Sequence, residues 1–253
     1  MLKRILIFAY GLACYAIFFA TFLYALGFVG NFAVPATLDG VPRMSTGKAL
    51  TIDLVLLGLF AIQHSVMARP FFKRWLTRFV PESAERSTYV LFSSLALIAL
   101  FIFWQPLGGE VWNVTDPLWH AALYALFAFG WLLVLVATFL INHFDLFGLR
   151  QVWLQLRDRP YRSLKFGTPG PYKVVRHPLY LGWLFAFWAT PTMTGTHLLF
   201  AFMTTAYILV AIQFEERDLV DSLGDDYIQY RRKVPMIVPW PRLLRRAAPI
   251  IGR

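Results

Sequence analysis

The sequence predicts an all-α, polytopic membrane helix bundle of five to six transmembrane helices with a polar, cytoplasmic C-terminal cap. Of its 253 residues, 58% are hydrophobic and 15% are charged, whereas soluble domains average about 45–50% apolar and about 25% charged residues. The apolar residues fall in long runs, and the basic residues concentrate in alternate segments between those runs. Both patterns are typical of a chain that crosses a lipid bilayer several times.

Each predicted helix corresponds to one apolar run, and a spanning helix needs about 20 such residues. Four runs have that length: 5–29, 49–68, 88–106 and 118–141. Two shorter runs, 178–191 and 197–214, are joined by a Thr- and Pro-rich turn and predict a helical hairpin. The fifth run is short enough to be re-entrant, so two interpretations of its depth stay open.

The chain is therefore expected to form one membrane domain with two parts. Residues 1–141 contain helices one to four, and residues 142–253 contain the hairpin (178–214) and an amphipathic cytoplasmic tail. If both termini are cytoplasmic, 22 of the 24 Lys and Arg residues lie inside, and only Arg43 and Lys48 lie outside. The positive-inside rule favours that orientation, with six crossings.

This topology accounts for the net charge of +10, so nucleic-acid binding is not predicted. The single cysteine, Cys14, excludes an intrachain disulfide and a zinc cluster of cysteines, and no metal site is expected.

Three polar side chains near cytoplasmic helix ends are candidates for chemistry. His64 lies in a Gln-His-Ser triplet about one turn from the end of the second run. A polar group there needs a protein or water partner, so an interhelical hydrogen bond and a functional role are both open. His143 and Asp145 follow the fourth run, either as solvated end residues or as part of the same pocket. Asp53, near the outer end of the second run, is expected to be a cap or interface residue.

A denser group of candidates begins before the fifth helix. Arg176 and His177 precede Pro178, which suits the first turn of a helix. Free backbone N–H groups at such a helix start favour anionic or acceptor atoms. Tyr172 and Tyr180 offer flat faces for a heterocycle. An ordinary membrane-interface anchor is the alternative interpretation.

Two adjacent carboxylates, Glu215 and Glu216, are expected to end the sixth run at the same cytoplasmic level. They need cationic or hydrogen-bonding partners there, and Arg176 is one candidate. A carboxylate also suits a ribose diol. Because Tyr227 and Tyr230 follow on the next amphipathic stretch, we expect these groups to converge on one site.

These residues resemble the motifs of the isoprenylcysteine carboxyl methyltransferase superfamily. Its Tyr-x-x-x-Arg-His-Pro-x-Tyr-x-Gly motif, its Glu-Glu pair and its later Tyr-x-x-Tyr-x-x-x-Val-Pro motif all occur here in order between residues 165 and 240. The resemblance implies that S-adenosyl-L-methionine is the cofactor. It further implies a set of cofactor-binding residues: Tyr172, Val174, Arg176, His177, Tyr180, Gly182, Glu215, Glu216, Tyr227 and Tyr230.

The N-terminal half is similar to the nurim-related branch of that superfamily. The similar segments are residues 63–68, 85–89 and 145–152. The branch includes bacterial enzymes that methylate methanethiol to dimethyl sulfide, and it also includes nurim of the nuclear envelope. The resemblance implies S-adenosylmethionine-dependent methylation of methanethiol or another small thiol, in a bacterial inner membrane. The complete C-terminal motif favours an active enzyme.

Methylation of a thiol requires the thiolate, so a base should remove one proton. His64, or His143 oriented by Asp145, is the candidate general base. Three alternatives stay open: a prenylated cysteine carboxylate or other lipophilic acceptor, a non-enzymatic scaffold of nurim type, and a transporter. A transporter is the weakest alternative, because the sequence shows no paired broken helices.

Overall fold

The computed structural model describes residues 1–164 and 166–239, and helices dominate them. The α-helices are α1 (Leu2–Gly30), α2 (Thr46–Met67), α3 (Pro70–Leu76), α4 (Glu82–Phe103), α5 (Pro117–Ile141), α6 (His143–Leu146), α7 (Leu149–Leu156), α8 (Pro178–Trp188), α9 (Gly195–Leu223) and α10 (Asp225–Lys233). Two short strands, β1 (Glu110–Asn113) and β2 (Thr192–Thr194), pair antiparallel. The all-α class is confirmed, with one small sheet that was not predicted.

Five of these helices are long and apolar enough to cross a membrane, namely α1, α2, α4, α5 and α9. They contain 22 to 29 residues each, and a crossing needs about 20. Large apolar side chains such as Leu6 and Leu132 are about 60% exposed along them, as lipid-facing residues are. The predicted multi-pass membrane bundle is confirmed.

The sixth predicted run is longer than its hydropathy indicated. The prediction ended it at residue 214, but α9 continues to Leu223 and carries Glu215 and Glu216 inside the helix. The prediction of this helix end was wrong. Hydropathy marks where a helix leaves the apolar layer, whereas the backbone hydrogen bonds continue beyond that point.

The fifth predicted run is shorter than expected. Helix α8 has 11 residues and is about 16 Å long at about 1.5 Å per residue, against about 30 Å for the hydrocarbon core. The chain leaves the helix through a tight turn, in which the Thr190 N–H donates to the Trp188 carbonyl at 3.0 Å, and Ala189 and Thr190 are 6% and 9% exposed. The indole of Trp112 donates to the Thr190 carbonyl at 3.2 Å. Protein therefore buries the non-helical backbone that follows α8, the condition under which such backbone is tolerated in a membrane protein.

Helices α5 and α8 pack closely through two glycines. A Cβ atom built on Gly182 would lie 2.7 Å from the Gly130 carbonyl oxygen and 2.9 Å from the Val134 nitrogen. Small residues permit this close approach between membrane helices. Sequence reasoning assigned Gly182 to the cofactor, but the structure places it in this helix contact.

We expect Gly182→Ala to lower the free energy of unfolding by about 1–3 kcal/mol, because the added methyl overpacks the α5–α8 contact. Thermal unfolding in detergent measures the loss. The matched control is Gly58→Ala, since a Cβ atom on Gly58 meets nothing within 4 Å. Equal melting temperatures for the two variants would rule out this packing role.

The bundle has two polar ends. One, here called the basic end, contains the N-terminus, α3, residues 142–164 and 166–177, and residues 215–239. Ion pairs join its segments: Arg4 to Asp158 at 2.6 Å and Arg69 to Asp218 at 3.0 Å.

The opposite end, here called the sheet end, contains residues 31–45, 104–116 and 189–195. The Asp39 carboxylate accepts from Asn31 at 2.7 Å and from the Thr194 hydroxyl. The carboxylate of Asp53, fully buried, accepts from the Gln105 backbone N–H at 2.9 Å. Asp53 therefore binds the backbone just after the end of α4, in agreement with its predicted role as a cap or interface residue.

Candidate active site

The arginine–histidine corner is held by backbone hydrogen bonds before α8 begins. The Arg176 N–H donates to the Pro235 carbonyl at 2.8 Å, and the His177 N–H donates to the Met236 carbonyl at 3.1 Å. Pro178 then opens α8, where its missing N–H leaves no unsatisfied donor. The segment after α10 thus fixes the direction in which both side chains point.

Arg176 forms a buried ion pair with Glu216. Its Nε donates to the Glu216 Oε1 at 2.7 Å, and a second guanidinium nitrogen lies 2.6 Å from the same oxygen. The third nitrogen donates to the carbonyls of Val234 at 2.7 Å and Arg231 at 3.0 Å. All three guanidinium nitrogens therefore have partners. Because these partners lie on α9 and around the end of α10, the Arg176–Glu216 pair holds the start of α8, α9 and α10 together.

Glu215 is the more open carboxylate of the pair. It accepts from the Tyr180 hydroxyl at 2.8 Å, and its side chain is 44% exposed against 10% for Glu216. The His177 ring lies between the two carboxylates, with Nε2 3.1 Å from the Glu216 Oε1 and Nδ1 3.9 Å from the Glu215 Oε2. Glu215 therefore keeps acceptor capacity for a ligand.

Two tyrosines of α10 close the other side of this cluster. Tyr230 donates to the Tyr172 carbonyl at 2.6 Å. Tyr227 is 2% exposed, and its hydroxyl has no hydrogen-bond partner among the described residues. Burial raises the pKa of Tyr227, and burial, opposed by Arg176, raises the pKa of Tyr230 to about 12. Tyr227 is thus a buried donor at neutral pH, and a donor of this kind needs an acceptor.

The structure brings together eight of the ten residues predicted to bind the cofactor. The side chain of Tyr172 interacts electrostatically with Glu215 and Tyr230, and burial raises its pKa. The two exceptions are Gly182, in the α5–α8 contact, and Val174, which is 56% exposed. Val174 lies in the turn that follows the 3₁₀ helix Gly170–Lys173, with its side chain exposed, whereas the neighbouring Val175 is 2% exposed.

His64 forms the interhelical hydrogen bonds that the sequence left open as one alternative. Its Nδ1 lies 3.1 Å from the Ser93 hydroxyl. The Tyr89 hydroxyl lies 2.8 Å from Nε2 and 3.1 Å from Nδ1, so it can serve either tautomer. The ring stacks on Phe60 at 5.2 Å. Both ring nitrogens are therefore engaged between α2 and α4.

Two tyrosines, here called the line of phenols, contact the two groups: Tyr180 bonds Glu215, and Tyr89 bonds His64. The Tyr180 phenol, which donates to Glu215, lies within electrostatic range of the phenols of Tyr89 and Tyr207. The guanidinium of Arg86 lies 5.0 Å from the Tyr89 ring centre. Sequence reasoning assigned no role to Tyr89 or Tyr207. The available signal was a tyrosine at the start of one apolar run and another within a second run, where a phenol needs a partner.

His143 lies in a separate aromatic cage. Tyr15 and Thr138 engage its two ring nitrogens at 2.8 Å each, and the ring stacks on Phe139 at 4.3 Å. Burial lowers the pKa of His143, so the imidazole is neutral at pH 7.

Asp145 does not contact the His143 ring. It pairs with Arg150 at 2.7 Å and accepts from Tyr161 at 3.3 Å. The expected orientation of His143 by Asp145 is thus replaced by an ion pair between Asp145 and a cation five residues further along.

Sequence similarity to known proteins shows the family of this chain. Residues 118–225 match the family model described as phospholipid methyltransferase. A methanethiol S-methyltransferase of Crocosphaera subtropica is 55% identical over 239 residues, which cover 94% of each chain. The chain belongs to the methanethiol S-methyltransferase family. The predicted superfamily is confirmed, and the chain is a multi-pass membrane methyltransferase.

Two further relatives define the branch. The methanethiol S-methyltransferase of Mycobacterium tuberculosis is 55% identical over 240 residues, covering 95% of this chain and 98% of that protein. Nurim of Xenopus laevis is 30% identical over 238 residues, covering 83% and 81%, in agreement with the predicted nurim-related branch. No solved structure matches the chain.

Proposed function

We propose that this methyltransferase uses S-adenosylmethionine to methylate methanethiol or another small thiol, with dimethyl sulfide as the product from methanethiol. The observation that carries the proposal is the 55% identity to methanethiol S-methyltransferases over 94–95% of the chain. That match includes the helices that carry His64 and the cluster around Glu215.

A side-by-side assay tests the acceptor. Purified enzyme is incubated with labelled S-adenosylmethionine and either methanethiol or a prenylated cysteine. We expect labelled dimethyl sulfide from the thiol and little methyl ester. Ester as the main product would favour a lipophilic carboxylate acceptor, and no transfer together with no cofactor binding would favour a scaffold of nurim type.

The residues at the basic end suit the cofactor. Glu215 has a half-exposed carboxylate that can accept hydrogen bonds from ribose hydroxyls. The unpartnered Tyr227 hydroxyl offers a buried donor, and the Tyr172 ring offers a flat face. Arg176 and Glu216 neutralise each other and hold these groups in place. When bound, S-adenosylmethionine supplies an activated methyl group on a sulfonium.

The same geometry supports His64 as the base in preference to His143. Because both nitrogens of His64 are engaged, a thiol proton can reach the ring through the Tyr89 hydroxyl. Tyr89 accepts the proton from the S–H group while its own proton passes to His64, leaving the thiolate. Tyr89 also interacts electrostatically with Tyr180, which bonds Glu215, whereas Tyr15, Thr138 and aromatic rings enclose His143.

We expect Tyr89→Phe to lower kcat by about 100-fold or more, the usual contribution of a group in general acid–base catalysis. The ring and its contact with Arg86 remain, so binding of S-adenosylhomocysteine should not change. Tyr10→Phe is the matched control, because Tyr10 also bonds α4, at Thr88, without touching His64. Similar rates for the two variants would exclude Tyr89 from proton transfer.

We further propose that the basic end is cytoplasmic, in a bacterial inner membrane, with both termini inside. The distribution of Lys and Arg supports this orientation. Residues 142–164, 166–177 and 215–239 then form the described part of the C-terminal cofactor cap. The final part of the predicted tail, 240–253, lies outside the described residues. Green fluorescent protein fused to the C-terminus should fluoresce, because it folds in the cytoplasm. If that fusion did not fluoresce and alkaline phosphatase fused at the same position were active, the proposed orientation would be wrong.

A further inference from the structure

A short segment between α2 and α4 exposes large aromatic side chains at the basic end. It consists of α3 and the turns that follow it, up to residue 80. Phe71, Trp75 and Phe79 are 59%, 49% and 72% exposed. Phe71 and Trp75 are four residues apart in α3 and share one side of it, and the rings of Trp75 and Phe79 lie 5.3 Å apart. These three side chains, here called the apolar stripe, are exposed, so packing inside the bundle does not account for them.

Two arginines lie beside the stripe. Arg74 and Arg78 are both exposed, and within residues 1–164 and 166–239 neither forms an ion pair. Exposed arginines of this kind are free to bind an anion, and a guanidinium fits a phosphate with two parallel hydrogen bonds.

The inner side of α3 adds to the positive charge. Lys73 is half-buried, and Arg69, Arg86, Glu85 and Asp218 all interact with it electrostatically. Burial and the two arginines lower the pKa of Lys73, whereas the two carboxylates raise it; the net effect is a lowered pKa. Cations therefore outnumber carboxylates around this segment, which favours an anionic partner.

We propose that Phe71, Arg74, Trp75, Arg78 and Phe79, here called the α3 surface, bind the phosphate headgroups of anionic phospholipids. The segment connects the end of one spanning helix to the start of the next, so it lies at headgroup depth. Aromatic rings prefer that boundary, and basic residues there attract anionic lipids. A second copy of the chain would place the same arginines against each other, which like charges disfavour.

Native mass spectrometry of the full-length protein tests this proposal. The protein, purified in detergent, is given dioleoyl phosphatidylglycerol or dioleoyl phosphatidylcholine, and bound lipids are counted. We expect the wild type to retain phosphatidylglycerol preferentially and R74Q/R78Q to lose about tenfold in that preference. The matched control is R43Q/K48Q, which removes two exposed basic residues at the sheet end.

The two double variants differ only in where the charge is lost. An equal preference for phosphatidylglycerol in both would overturn the proposal. So would a change from dimer to monomer in R74Q/R78Q with unchanged lipid counts, because the α3 surface would then be an interface between two copies of the chain.

Discussion

Glu216→Gln should abolish measurable binding of S-adenosylhomocysteine and destabilise the basic end. The substitution leaves Arg176 buried without a counter-ion, because Glu216 receives two guanidinium contacts at 2.6–2.7 Å. Breaking one side of a buried ion pair costs about 3–5 kcal/mol. The pair joins α8, α9 and α10, so its loss should release the Tyr227 and Glu215 side chains from their positions. Calorimetry in detergent measures the affinity, and thermal unfolding measures the stability.

Glu215→Gln is the control that separates framework from ligand contact. Glu215 is 44% exposed and bonds Tyr180 but not Arg176, so this variant should keep the melting temperature of the wild type while binding the product more weakly. If Glu216→Gln bound S-adenosylhomocysteine as tightly as the wild type, the Arg176–Glu216 pair would not frame the cofactor site.

His64→Ala should lower the rate of thiol methylation by about 100- to 10,000-fold, the range expected for loss of a general base. Binding of S-adenosylhomocysteine should not change, because the Glu215 cluster does not include α2. The rate is measured with methanethiol at saturating cofactor. His64→Gln distinguishes catalysis from structure, since glutamine can restore hydrogen bonds to Ser93 and Tyr89 but cannot act as a base near pH 7.

His143→Ala gives the contrasting result. We expect this variant to lose stability, because it empties a cage formed by Tyr15, Thr138 and Phe139. The folded fraction should keep most of its rate. A full rate in His64→Ala together with a strong loss in His143→Ala would reverse the assignment of the base.

Hydropathy and charge predicted much of this fold, because the bilayer demands about 20 apolar residues per crossing. Helices α1, α2 and α5 begin and end within three residues of the predicted runs. Helix α4 begins at Glu82, six residues before its predicted start at 88, because charged residues in the first turn extend the helix beyond the apolar run.

The short elements were harder to predict. Strands β1 and β2 have four and three residues, too few for an alternating pattern. The chain after Trp188 is rich in Thr and Pro, which predicts a turn but not the burial of Ala189 and Thr190.

The cluster around Glu215 was predictable because an ordered motif specified its residues, even though Arg176 and Glu216 are 40 residues apart. Proximity of Tyr89 and Tyr207 to that cluster was not predictable, because it depends on how α2, α4, α8 and α9 pack. Val174 and Gly182 show the limit of a motif: membership fixes the residue type but not whether the residue faces the cluster or lies elsewhere.

A structure of the protein bound to S-adenosylhomocysteine tests the central claim most directly. The nucleoside should lie at the basic end between the Arg176–His177 corner and α10, with its ribose on Glu215 and an acceptor atom on the Tyr227 hydroxyl. Its sulfur should face Tyr180 and the line of phenols that leads to His64. A nucleoside bound at the sheet end, or bound without contact to Glu215 and Tyr227, would contradict the proposed site.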